Sequence, residues 1–431
     1  MTQKITNLIK DIFLFILIIF LLLLPILKQF LPITMLIVES NYLILQTLGI
    51  LGLYFLVINI YINFEKNNNK KIYLKNLIPI FILVLYMLWT FISSFNAENK
   101  HIAFNGTEYR KEGYFTYLAY AGIFGLAFCI NSEKLKKILL YLFLIIALLS
   151  TIFAQFAEHG YFNHFFWSVD AKTASFFQFN HYGYYLLIAN AIACSLFITE
   201  KNKFFKILNL IIYSYLLYYL IFNDTFGCYL ALILDLIIFL IFCIIKKYKK
   251  ISIIILISTF ILISVFSIHF NNYVATNITV FKDDIQTIIS VDSPESQILD
   301  TGTHRMGLWI NGIKFFIKKP ILGYGPEQLE NKYTEVGISQ DRPHNLLIQL
   351  ATTSGFPGLI LYISSILIIL LRSFKIFNIK NLLHTVCMFS SIAYLISSMF
   401  GNSMYYTSPY FFLLLGFLFN ELLKLEQKQE T

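Results

Sequence analysis

Apolar runs long enough to cross a lipid bilayer recur along almost the whole of this 431-residue chain. A helix needs about 20 apolar residues to cross a hydrocarbon layer of roughly 30 Å. Inside that layer every backbone amide must find its hydrogen-bond partner within the protein. The runs are continuous and do not alternate with period two, which argues against a β-barrel. The sequence therefore predicts an all-α, polytopic membrane protein.

The amino-acid composition also indicates a membrane protein. Hydrophobic residues make up 58% of the chain and charged residues 13%, with a mean hydropathy of +0.69, whereas a soluble domain carries about twice that charged fraction. The formal net charge of +9 comes from lysines in short clusters between apolar runs, so we predict no nucleic-acid partner. The five cysteines all fall within apolar runs without metal-ligand spacing, and they read as small hydrophobic residues.

Twelve membrane spans are predicted, nine before a long polar loop and three after it. The three parts are an N-terminal bundle (1–269), a loop (270–355) and a C-terminal bundle (356–431). The spans are 9–31, 42–62, 75–96, 113–130, 136–157, 181–199, 203–222, 226–245, 251–269, 356–372, 380–400 and 405–424.

The distribution of basic residues predicts the orientation in the cytoplasmic membrane. With a cytoplasmic N-terminus, 21 of the 33 lysines and arginines lie in inside segments, five in short outside segments and seven in the long loop. Short loops are the ones that follow the positive-inside rule. Both termini are therefore expected in the cytoplasm, with the loop outside. The first apolar run is followed by no small-residue cleavage site and is expected to be retained.

The loop 270–355 contains a stretch with helical spacing of apolar residues, THRMGLWINGIKFFIKKP from Thr303. We predict a helix that lies in the membrane interface and presents cations to anionic headgroups. A turn follows, marked by two prolines and two glycines. The residues predicted on the apolar face are Met306, Trp309, Ile310, Ile313, Phe316 and Ile317, and those of the turn are Pro320, Gly323, Gly325 and Pro326.

The stretch DRPHNLLIQLATTSG, from Asp341, places His344 and Asn345 at the start of an apolar helix. Pro343 is expected as the first helical residue, with Asp341 as its cap, so that His344 lies in the first helical turn near the outer membrane surface. Histidine titrates near neutrality and can deprotonate a hydroxyl. Arginine can stabilise a departing phosphate anion without a metal. This combination suits group transfer from a lipid-linked phosphate.

Less specific interpretations exist for each of these residues. His344 can be an interfacial anchor, Arg305 can extend its charge toward headgroups, and Asn345 can simply cap its helix. Asp283 and Asp284 resemble the paired carboxylates of a metal-dependent transferase, but adjacent carboxylates are a weak signal and favour a solvated loop. We therefore predict neither a metal nor another cofactor.

The segments TGTHRMGLWINGIKFFIKKPILGYGPEQL and RPHNLLIQLATTSGFPGLILY, within residues 301–362, resemble the O-antigen ligase/polymerase family. Members carry an arginine with a tryptophan four residues on, a proline before a Gly-x-Gly turn, then His-Asn, a leucine-rich run and two glycines. In this chain those positions are Arg305, Trp309, Pro320, Gly323, Gly325, His344, Asn345, Gly355 and Gly358.

The resemblance implies an inverting, metal-independent transferase of the GT-C architecture. It would move an undecaprenyl-pyrophosphate-linked oligosaccharide onto lipid A core, another glycan chain or a protein. The family's histidine base would be His344, and its pyrophosphate-binding arginine would be Arg305. Many members have a second arginine where this chain has Phe226. We expect Arg110 to replace it, with Arg342 as the second choice; Asn345 would position His344 or bind substrate.

A different class, a transporter or flippase of lipid-linked oligosaccharide, is the alternative. A carrier is expected to show paired interrupted spans and ionisable groups near the membrane midplane. This chain has few charges inside its apolar runs and concentrates its polarity in one outer loop, which favours chemistry at the surface. Ligase and polymerase cannot be told apart from these motifs.

Overall fold

The computed structural model describes residues 2–27, 34–161, 171–176, 178–223, 225–248, 301–302 and 304–430, together with scattered positions between 257 and 299. The chain is helical in these ranges. The α-helices, in chain order, are α1 Thr2–Leu27, α2 Thr34–Lys66, α3 Lys70–Asn76, α4 Ile78–Phe95, α5 Lys100–Asn105, α6 Tyr114–Cys129, α7 Glu133–Glu158, α8 Phe179–Thr199, α9 Lys203–Phe222, α10 Phe226–Ile245, α11 Arg305–Lys318, α12 Glu330–Glu335, α13 Leu346–Lys375, α14 Leu382–Ser398 and α15 Ser408–Glu430. A 3₁₀ turn, Ala174–Phe176, precedes α8.

The prediction of a polytopic α-helical membrane protein is confirmed. Within the part of the chain that the structure describes, nine helices are long and apolar enough to cross a membrane. The helices Tyr114–Cys129 and Leu382–Ser398 are apolar but shorter, and they coincide with two further predicted spans. Most of the predicted span 251–269 lies outside the described residues, so the count of twelve stays a prediction.

Small residues bring α2 and α6 into close contact at the centre of the bundle. A Cβ added to Gly52 would lie 1.9 Å from the carbonyl oxygen of Gly122, so only glycine fits there. Such contacts let backbones approach each other in a membrane, where apolar burial does not drive helix association. α8, whose apolar window is fully buried, packs against α7, α9, α10 and α14.

The bundle has two chemically different ends. The loop end comprises residues 97–113, 320–345 and 399–407, which are joined by hydrogen bonds such as that between Glu112 N and Glu327 Oε1 at 2.8 Å. The lysine end comprises residues 131–137, 199–203, 378–384 and 421–428, joined by ion pairs such as Lys137 to Glu200 at 2.6 Å. α14 and α15 run from one end to the other. Residues 320–345 of the predicted loop and the lysines of residues 131–137, 199–203, 378–384 and 421–428 therefore lie at opposite ends.

Helix α13 is broken at Gly355, where φ is 69°. A side chain would not fit, because a Cβ there would lie 1.9 Å from the carbonyl oxygen of Ile321. The break separates a short half-helix, residues 346–354, from the predicted span 356–372. The predicted boundary between loop and C-terminal bundle falls at this break.

The glycine turn of the loop satisfies the backbone groups that the break exposes. Tyr324 N and Gly325 N donate to the carbonyls of Thr352 and Thr353, at 2.9 and 2.8 Å, and Phe356 N donates to Pro320 O at 2.7 Å. Trp89 Nε1 of α4 donates to Ser354 O at 2.8 Å. A broken helix is tolerated at membrane depth when its free carbonyls are paired inside the protein. The turn thereby fixes the half-helix in position.

The predicted interfacial helix exists as α11, and a different side of it packs against the protein. Leu308 and Phe315 are buried, and the edge of the Phe315 ring packs on Tyr333 with centroids 5.1 Å apart. Ile313 and Ile317, predicted on the apolar face turned to the membrane, are 48% and 67% exposed on the protein surface. Gly312 lies on the protein-facing side, where the absence of a side chain lets α11 approach α13. The location of α11 in the interface stays a prediction.

Candidate functional site at the loop end

His344 lies just before α13, in a backbone conformation with φ 51°. The expectation that it occupies the first helical turn, behind an Asp341 cap and a first helical Pro343, is wrong. The helix begins at Leu346 and is capped by Asn345, whose Oδ1 accepts from Leu347 N at 3.0 Å and Ile348 N at 3.1 Å. The physical reason is that the Asp341 carboxylate is already bound to two arginines.

Asn345 forms hydrogen bonds through both the oxygen and the nitrogen of its side-chain amide. Besides capping α13, it donates from Nδ2 to the carbonyl of Met399 at 3.0 Å. Asn345 is therefore the helix cap that the less specific interpretation expected. Its contact with substrate stays a prediction. The bond to Met399 also holds the segment 399–407 beside His344.

The His344 ring contacts one amide on each side. Its Nδ1 lies 3.2 Å from Asn402 Nδ2, and its Nε2 lies 3.4 Å from Gln340 Oε1. The two orientations of the Asn402 amide are geometrically equivalent, and they select opposite tautomers. As placed, Asn402 Nδ2 donates to Nδ1 and Nε2–H donates to Gln340 Oε1. With both amides turned over, Nδ1–H donates to Asn402 Oδ1 and Nε2 is unprotonated, as a base at that nitrogen requires. Asn402 was not singled out from the sequence.

Burial, followed by the nearby charge of Arg305, lowers the pKa of His344 to about 4. The imidazole is therefore neutral at pH 7 and able to accept a proton. A base with so low a pKa is weak, and the efficiency of a general base is greatest when its pKa is near the working pH. An anion bound beside the ring would raise the pKa of His344 by favouring its charged form.

Arg305 is the first residue of α11 and follows His304, which has φ 65°. Its guanidinium forms no ion pair with any residue in the described ranges. Its charge contributes to the lowered pKa of His344. The helix α11 that begins at Arg305 packs against α13, which follows His344.

Arg110 and Arg342 are engaged by carboxylates at the loop end. Arg110 binds Asp341 through two bonds, Nε to Oδ2 at 2.8 Å and Nη2 to Oδ1 at 3.1 Å. Arg342 lies between Asp341 Oδ2 and Glu327 Oε1, at 3.1 and 3.2 Å. Although burial alone would raise the pKa of Asp341, Arg342 and Arg110 together lower it to about 2. Their predicted substrate contacts remain untested.

Glu327 and Glu112 form a buried acidic cluster that the sequence analysis missed. Glu327 accepts from the amides of Thr107 and Glu112 and from Arg342. Glu112 is fully buried and accepts from Tyr120 Oη and, at 3.1 Å, from Ser403 Oγ. Burial raises the pKa of Glu112 to about 7. Nothing in the local sequence marks either residue, because their partners are distant in the chain.

Removing Glu327 should destabilise the protein strongly. Glu327→Ala removes one of the two carboxylates bound to the buried Arg342 and leaves two backbone amides without their acceptor. Breaking a buried ion pair lowers the free energy of unfolding by about 3–5 kcal/mol. We expect a lower midpoint of thermal unfolding in detergent. Glu330→Ala is the control, since Glu330 is an exposed residue nearby. Equal midpoints for the two variants would contradict a structural role for this cluster.

The side chain of Phe226, where a second arginine is common, lies outside the described residues. Asp284 Oδ2 accepts from Gly302 N at 3.0 Å. Among the residues that the structure describes, no group of three or more histidine, cysteine, aspartate or glutamate side chains is placed to hold a metal ion.

Residues 211–363 match the family model described as O-antigen ligase. The resemblance to the O-antigen ligase family is confirmed. The match supports a glycan-transferring function at a membrane. It runs from within α9 to within α13 and includes Arg305, Arg342, His344 and Asn345, whereas Arg110 lies outside it. No curated protein matches the chain.

Proposed function

We propose that the chain transfers a glycan from an undecaprenyl-pyrophosphate carrier to an acceptor hydroxyl at the outer face of the cytoplasmic membrane. The observation that carries the proposal is that α11, whose first residue is Arg305, packs against α13, which directly follows the neutral His344; Arg305 has no carboxylate partner in the described ranges. The O-antigen ligase match supports the same chemistry. The loop end would face outward, and the lysine end would face the cytoplasm.

The reaction is a single displacement at the anomeric carbon. His344 accepts the proton of the acceptor hydroxyl while its oxygen forms the new bond to the sugar. The bond from the sugar to the pyrophosphate oxygen breaks, and its electron pair leaves with the undecaprenyl pyrophosphate. Attack from the opposite side inverts the anomeric centre. No metal is needed when cations of the protein stabilise the leaving group.

Arg305 is the primary candidate for binding the pyrophosphate, because a guanidinium offers a planar pair of donors to phosphate oxygens. Arg110 can contribute a second contact. Its Nε and Nη2 are held by Asp341, while Nη1 lies 3.9 Å from the sulfur of Met404, a weak acceptor. Arg342 is 3% exposed and held between two carboxylates, so its part is mainly to position the loop.

Binding of the donor would also prepare the base. The pyrophosphate brings negative charge next to His344, which raises the pKa of the imidazole from about 4 toward neutrality. The histidine then becomes an effective proton acceptor only when the donor is in place. The acceptor can be lipid A core, a growing polysaccharide or a protein, and the proposal covers both ligation and polymerisation.

Reconstitution of the full chain in liposomes tests the proposal. The donor is a polyprenyl-diphosphate-linked oligosaccharide, and candidate acceptors are added one class at a time. We expect glycan on an acceptor and release of polyprenyl diphosphate in equal amounts. A transporter would instead move the donor between leaflets with its pyrophosphate bond intact. Movement without cleavage for every acceptor class would refute the proposed transfer.

A further inference from the structure

A cavity of about 510 Å³ opens at the lysine end of the bundle. It lies between the first turns of α7 and α14 and the last turns of α8 and α15. This volume is within the range of small-molecule sites, roughly 300–1,000 Å³. The 17 residues of α14 separate it from the loop end by about 25 Å, at 1.5 Å per residue. The cavity is therefore distinct from the proposed active site.

Positive charge predominates in this cavity, where six lysines face three glutamates. Two of the glutamates are already bound, Glu200 by Lys137 and Glu421 by Lys424. The remaining lysines make no ion pair with the residues that the structure describes; they are Lys134, Lys201, Lys380 and Lys428. Unpaired cations around a concave surface attract an anion.

His384 gives a second, independent indication of a ligand. The residue lines the cavity and is only 1% exposed. Neither ring nitrogen has a hydrogen-bond partner among the described residues. Buried polar atoms are almost always paired, so an unpaired imidazole at a cavity points to a group that is bound there. A nitrogen of this ring can donate to an anionic oxygen.

The start of α14 adds further donors to the same cavity. Asn381 precedes the helix and also lines the cavity, but its side chain makes no capping hydrogen bond. The amides of the first helical turn therefore receive no capping bond from Asn381, and the positive end of the helix dipole lies at the cavity. Such a helix start favours phosphate oxygens.

We propose that this cavity binds a phosphate-bearing anion, with His384 and the first amides of α14 at its base and the unpaired lysines at its rim. Two sources share this chemistry, the headgroup of an anionic phospholipid and soluble inorganic phosphate. Basic cavities between membrane helices are suited to phospholipid headgroups. The proposal does not depend on the reaction at the loop end.

The test measures thermal unfolding of the full-length protein in phosphatidylcholine nanodiscs. One arm adds phosphatidylglycerol to the discs, and the other adds inorganic phosphate to discs without it. We expect one of them to raise the unfolding midpoint, which identifies the source. In Lys201→Gln/Lys380→Gln, affinity for that probe should fall roughly tenfold or more, since each cation near an anionic headgroup contributes a severalfold factor.

The control variant is Lys71→Gln/Lys203→Gln, which removes the same charge from two exposed lysines outside the cavity. It should bind the probe as the unchanged protein does. His384→Phe, which removes both ring nitrogens, should also weaken binding by about tenfold, the loss of one hydrogen bond to a charged group. Equal weakening by the control pair, or no response to either probe, would overturn the proposal.

Discussion

Replacing His344 with alanine is expected to lower the rate of glycan transfer by about 10²–10⁴-fold, the contribution typical of a general base. The left-handed backbone, with φ 51°, makes alanine an imperfect probe because its Cβ strains that conformation. His344→Asn is the sharper variant, since asparagine tolerates this conformation and cannot accept a proton at neutral pH. Both variants should retain the unfolding midpoint of the unchanged protein within a few degrees.

The control for this prediction is His101→Ala, which removes an exposed histidine from the same end of the bundle. It should leave the rate unchanged. Near-normal transfer by His344→Asn would eliminate the imidazole as the base.

The pH dependence of the unchanged protein gives a further readout of the base. A base must be unprotonated, so the rate falls as pH decreases through its pKa. In the free enzyme the pKa of His344 is about 4. Protonation of this residue should therefore not lower kcat/KM between pH 7 and about 5. The acidic limb of kcat should lie at higher pH, because the bound pyrophosphate raises the pKa. Coincident limbs would contradict the proposed coupling.

Replacing Arg305 with alanine is expected to reduce transfer by about 10²–10³-fold, the loss that follows removal of a donor to a developing negative charge. Arg305→Lys should recover part of this, since the charge remains while the paired donors are lost. The pH profile of Arg305→Ala distinguishes binding of the pyrophosphate from simple anchoring of the helix. Arg305 lowers the pKa of His344, so its removal should shift the acidic limb of kcat/KM to higher pH.

Lys318→Ala is the matched control for Arg305, because it removes one cation from the opposite end of the same helix. It should change neither the rate nor the pH profile. If Arg305→Ala and Lys318→Ala behave alike, the arginine acts only through the general positive charge of α11.

Much of the fold was predictable from hydropathy. The apolar runs gave α8 and α9 within two residues of their observed bounds, because a membrane permits little besides helices. The boundary predicted between residues 355 and 356 falls at the break in α13, where glycine and proline occur together. The side of α11 that contacts protein was not identified, because the apolar stripe marked only the face turned to the membrane.

Only part of the candidate site could be predicted from the sequence. His344 and Arg305 could be identified from motifs, and the helices beside them, α13 and α11, pack against each other. Asn402 and Glu327 could not, because each acts through partners 58 and 215 residues away. The start of α13 was misjudged for the same reason. Asp341 has the chemistry of a cap, but a distant arginine binds it in the folded protein.

The loop end is built from segments that are far apart in the sequence and are therefore synthesised at different times. Arg110 meets Asp341 across 231 residues, and the amide beside the histidine ring belongs to residue 402. A nascent chain already inserted in the membrane holds its guanidinium but not yet its carboxylate or its imidazole support. Under the proposed function, a partly synthesised protein would therefore have no working site, since the residues of the loop end come together only when the final helices are in place.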